Sequence, residues 1–99
     1  MSIMLERKTI LDYLTEHLSE FQHKYHVQKI GIFGSYARDE ANEDSDIDIV
    51  VDMQPKLFNM MAIKEQIEHD LQKKVDIVRL RPKMNNYLKQ RILEDGLFV

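Results

Sequence analysis

Three short apolar runs, each too short to be a helix, divide this chain into segments with helical periodicity. Lys29–Phe33 reads KIGIF, residues 46–52 read DIDIVVD, and Val75–Leu80 reads VDIVRL. β-Branched residues fill these runs, and turn residues or proline close them: Gly34-Ser35, Pro55 and Pro82. They are predicted strands. Between and around them, apolar residues recur every three or four positions. Met4, Leu11, Leu14, Leu18, Phe21 and Tyr25 mark a first helix over residues 4–25. Met60, Ile63, Ile67 and Leu71 mark another over 58–73, and a last helix covers 86–94 with Gly96 as its C-terminal cap. Residues 36–40 allow one short helix, and residues 41–45 are a polar loop. Strands alternating with helices predict an α/β (α+β) fold, a small mixed sheet flanked by helices.

Ninety-nine residues make one expected domain, 1–99, with one modest core. No apolar run reaches the roughly 20 residues that span a bilayer. The first ten residues carry charges of both signs and do not read as a secretory signal. The chain has no cysteine, so it has neither disulfides nor thiolate metal ligands. A cytoplasmic protein without a membrane partner is expected. The net charge of −3 argues against nucleic-acid binding. The nearest basic cluster, Arg79, Arg81 and Lys83, reads as a solvated strand exit.

The chemistry is concentrated in residues 34–48 and at Asp76. Side chains of a strand alternate faces, so Asp46 and Asp48 share one face while Ile47 and Ile49 enter the core. The two carboxylates start about 7 Å apart at Cα. Desolvating both is costly unless a cation lies between them, and hard oxygen ligands suit Mg²⁺ or Mn²⁺. Gly34-Ser35 stands where a strand turns into a helix. Glycine there permits close backbone approach, and free N–H groups and the serine hydroxyl suit a phosphate. Asp76 interrupts an apolar strand. If that strand neighbours DIDIVVD, it supplies a third carboxylate. Three carboxylates beside a phosphate-binding turn suit two-metal phosphoryl or nucleotidyl transfer. The competing reading is an acidic surface strand.

The pattern Gly34-Ser35, ten residues, Asp46-x-Asp48 and a later strand aspartate resembles the nucleotidyltransferase superfamily typified by DNA polymerase beta. Chance gives the first part in about one chain in a thousand of this length. The context IFGSYAR, the short chain and the closing ILEDGLFV are most similar to the minimal nucleotidyltransferases, the MntA-type antitoxins. The resemblance runs from the first strand to the C-terminus. It implies that Asp46, Asp48 and Asp76 hold two Mg²⁺ ions (Mn²⁺ being possible) and that Gly34 and Ser35 hold the phosphates of ATP. Asp76 would also help deprotonate the acceptor. Arg38 would lend charge to the phosphates, or else pair with Asp39, Glu40 or Asp44. It further implies a partner, a HEPN-type RNase toxin whose tyrosine accepts AMP, in a hetero-oligomer. Two other activities compete: inhibition by contact alone, and modification of a small molecule such as an aminoglycoside. The family often has glycine where Asp39 follows Arg38.

Two features stay outside this constellation. His23 and His26 have helical metal-ligand spacing but no third ligand, and read as surface residues. Leu97-Phe98-Val99 either completes the core or meets a partner.

Overall fold

The computed structural model describes residues 5–99. Helix α1 spans Arg7–Tyr25, strand β1 Lys29–Phe33, helix α2 Gly34–Ala37 and strand β2 Ile47–Asp52. Helix α3 follows at Leu57–Leu71, strand β3 at Val75–Arg79, helix α4 at Asn86–Asp95 and strand β4 at Leu97–Phe98. The strands form one mixed sheet in the order β3-β2-β1-β4. β1 is antiparallel to both of its neighbours, and β2 is parallel to β3. A parallel pair needs a long crossover, which α3 provides.

The sheet is covered on both faces. α1 and α3 close one of them over Ile30, Ile32, Ile47, Ile49 and Val51. Each fully buried aliphatic side chain there contributes roughly 1.5–3 kcal/mol. Phe33, Val50, Met84 and Ile92 form a smaller cluster on the other face, so α4 lies on the side of Asp48 and Val50.

The buried residues of α1 are Ile10, Tyr13, Leu14 and Phe21, while Leu11, Leu18 and Tyr25 are partly buried. The helix is therefore rotated relative to the predicted leucine stripe. Met4, the first position of that stripe, lies outside the described residues. On the face so buried, the Tyr13 hydroxyl donates to Asp70 Oδ2 at 2.5 Å and ties α1 to α3. Burial, then the Asp70 carboxylate, raise the Tyr13 phenol above its ordinary range. His26 ends α1 in the left-handed region at φ 58°, and Gln72 ends α3 likewise at φ 53°. Asn85 caps α4, accepting from Leu88 N–H at 3.1 Å.

The C-terminal residues form an element that the sequence did not reveal. Leu97 and Phe98 pair with Ile32 and Gly31 of β1. Gly31 permits this: a β-carbon there would strike the Leu97 carbonyl and lie 2.9 Å from the Phe98 ring. Gly96 does cap α4, its N–H bonding Ile92 O at 2.8 Å, with an extended φ of −61°.

Candidate active site

The site is assembled where β1 ends beside β2. Phe33 pairs with Asp48, so Gly34 leaves the sheet directly against that aspartate. Gly34 has φ +73°, and a β-carbon would collide with Asp48 Oδ2 and stand 3.2 Å from its Cγ. Both the backbone angle and the contact oppose any other residue. The close approach that glycine permits here is to the Asp48 carboxylate. Helix α2 begins at Gly34 itself, two residues before the predicted start, and ends at Ala37. Tyr36 and Ala37 are buried in the main core and anchor the turn, while Ser35 between them and Gly34 stays partly exposed.

Strand β2 begins at Ile47, so Asp46 stands at its entrance and Asp48 one residue inside. Ile47 and Ile49 are fully buried, as the alternation predicts. In the parallel pair, Asp48 is the register partner of Asp76. Register partners of adjacent strands point to the same face, with strands about 4.8 Å apart. The expected neighbour relation of β2 and β3 is therefore present. It brings Asp76, exposed on the outer strand, alongside half-buried Asp48.

Electrostatics single out Asp48. Burial, then the charges of Asp76 and Asp46, push its carboxyl up to about 6, against the opposing pull of Arg91 and Arg38. The ionised carboxylate is thus held at a cost that a cation would offset. Among the described residues, no three His, Cys, Asp or Glu side chains are gathered tightly enough to enclose a metal ion. The donor set nonetheless fits hard divalent cations: carboxylate oxygens alone, on one face, with the most buried one disfavoured when charged. Neither His23, exposed in the last turn of α1, nor His26, its cap, contributes to such a group.

Arg38 is engaged elsewhere. Its Nε lies 3.0 Å from Glu40 Oε2 and its Nη1 3.0 Å from Asp95 Oδ2. Glu40 was among the anticipated partners; Asp95, from α4, was not. Asp39 occupies the left-handed region at φ 60°, a conformation that glycine adopts without the steric cost a side chain brings. Arg91 is the second residue that sequence reasoning missed. Leu88 and Ile92 announce the buried side of α4, but nothing in the sequence says which sheet face that helix covers.

The fold and the carboxylate set define a nucleotidyltransferase of the polymerase beta kind. The family model described as "Polymerase beta, Nucleotidyltransferase" matches residues 16–99. The chain belongs to that family and, within it, to the minimal nucleotidyltransferases. It is 36% identical over 98 residues to the protein adenylyltransferase MntA of Thermococcus cleftensis, covering 97% of this chain and 98% of the relative. A solved minimal nucleotidyltransferase superposes with a TM-score of 0.77 at 26% identity, covering 97% of this chain and 98% of its own. A toxin–antitoxin crystal structure with AMP-PNP superposes with a TM-score of 0.68 at 25% identity, covering 95% of this chain and 72% of its own.

Proposed function

We propose that this protein is an antitoxin that transfers AMP from ATP to a tyrosine hydroxyl of a HEPN-type RNase toxin. One observation carries the reading: Asp48 and Asp76 are register partners on one sheet face, with Gly34 pressed against Asp48. A protein adenylyltransferase among the relatives, and a similar toxin–antitoxin structure holding an ATP analogue, support the substrate and partner class.

The Ser35 hydroxyl and the N–H groups at the start of α2 bind the nucleotide phosphates. Two divalent cations held by Asp46, Asp48 and Asp76, Mg²⁺ or Mn²⁺, would neutralise charge on the attacking and leaving oxygens. Asp76, exposed at the outer strand, faces the acceptor and receives its proton. That help is needed because a tyrosine hydroxyl ionises only near pH 10. The tyrosine oxygen bonds to the α-phosphorus, the bond to the β-phosphate oxygen breaks, and pyrophosphate leaves.

A second reading, inhibition by contact alone, draws support from apolar side chains exposed on α4 and β4. Leu93 is 69% exposed, Leu97 36% and Phe98 41%. Asp46→Asn separates the two readings. It should abolish protection from the toxin while the two proteins still bind in an analytical gel-filtration assay. Full protection by the variant would establish the contact mechanism instead.

A further inference from the structure

We propose that Arg91 is the cation that binds the outer phosphates of the nucleotide, and that Arg38 serves as the clamp that holds Arg91 in place. The inference rests on the nucleotidyltransferase reading and adds a residue to its site. α4 packs on the sheet face that carries Asp48, and it also touches α2. A groove between α2 and α4 is lined by Arg38, Tyr87, Gln90, Arg91, Glu94 and Asp95. Most of its polar groups are already matched. Arg38 pairs with Asp95 at 3.0 Å and with Glu40 at 3.0 Å, and Gln90 Nε2 donates to Glu94 Oε1 at 2.9 Å.

Arg91 differs. Among the described residues, no carboxylate lies within ion-pair distance of it. Its contacts are with Tyr87, one turn earlier: Nη1 donates to the hydroxyl at 3.3 Å, and the guanidinium carbon lies 5.8 Å from the ring centroid. A guanidinium has five N–H donors, and the Tyr87 hydroxyl takes one of them. The rest suit a phosphate, whose oxygens match the guanidinium fork.

Position agrees with this role. Arg91 is carried by the helix whose Ile92 packs on Phe33 and Val50, on the sheet face of the carboxylates proposed to hold the metal ions. Arg38 forms ion pairs with two carboxylates, Glu40 and Asp95, and the Asp95 pair links the end of α2 to α4 across 57 positions of sequence. Asp95 lies four residues after Arg91, on the same side of the helix. The clamp thus fixes the turn of α4 that presents Arg91. Glu94, also in the groove, repels an anion approaching from the C-terminal end and favours approach from the Arg91 side.

The test compares Arg91→Ala, Arg91→Lys and wild type by calorimetric binding of ATP, inorganic pyrophosphate and AMP, each with Mg²⁺. Loss of the outer-phosphate contact should weaken ATP and pyrophosphate by about 10- to 100-fold in Arg91→Ala. AMP, which lacks those phosphates, should change by less than about twofold. Arg91→Lys keeps the charge without the fork and should fall between. Equal weakening of AMP and ATP would mark Arg91 as merely structural and overturn the inference, as would unchanged ATP binding. If wild type binds ATP and Arg91→Ala binds it as tightly, only this inference falls. If wild type binds no ATP, the enzyme reading falls with it.

Discussion

Replacing Asp48 by asparagine should stabilise the metal-free protein while destroying its function. The carboxyl titrates near 6 in the fold against an ordinary value of 3.8. A gap of this size corresponds to about 3 kcal/mol at full weight. Water reaches part of the group, so about 1–2 kcal/mol is the expected effect after screening. The sign follows from linkage. The fold favours the protonated form, so the stability from Asp48 is fully present below about pH 4 and is lost as pH rises through about 6. Asparagine keeps the shape and never charges. Urea denaturation in EDTA should therefore find wild type and Asp48→Asn nearly equal below about pH 3.5. Above about pH 7 the variant should be more stable by about 1–2 kcal/mol, or roughly 4–16 °C in Tm. Adding Mg²⁺ should narrow the gap by stabilising wild type more than the variant. A difference independent of pH, or a variant less stable at neutral pH, would refute the assignment of Asp48 as a strained site carboxylate.

Other expectations follow from single contacts. Gly34→Ala should lower stability by at least about 2 kcal/mol in thermal melts, because both φ and Asp48 oppose a side chain. Tyr36→Phe should raise stability by roughly 1 kcal/mol, since the Tyr36 hydroxyl is buried without a partner among the described residues. Asp39→Gly should add about 0.5–1 kcal/mol by relieving a left-handed residue, as read by urea midpoints.

What the sequence disclosed follows from local periodicity. The two-residue alternation of DIDIVVD placed Asp46 and Asp48 on one face and Ile47 and Ile49 in the core. The sequence left open whether β3 neighbours β2, and the parallel pairing of the fold is what brings Asp76 to Asp48. What it hid was tertiary. A two-residue strand, Leu97-Phe98, has no period to detect. The Arg38–Asp95 pair spans 57 positions and depends on which face α4 covers. The buried face of α1 includes Tyr13, whose bond to Asp70 spans 57 positions. The Gly34 contact with Asp48 arises from the β1–β2 register, which a sequence read one strand at a time does not contain.

The central claim is nucleotidyl transfer by Asp46, Asp48 and Asp76. Its most direct measurement uses ATP labelled on either the α- or the γ-phosphate, with Mg²⁺ and a HEPN-type toxin as the candidate partner. The account predicts that only the α-label reaches the partner protein, with release of pyrophosphate, and that Asp46→Asn/Asp48→Asn abolishes it. Transfer of the γ-label, or binding of the partner without transfer of either label, would contradict it.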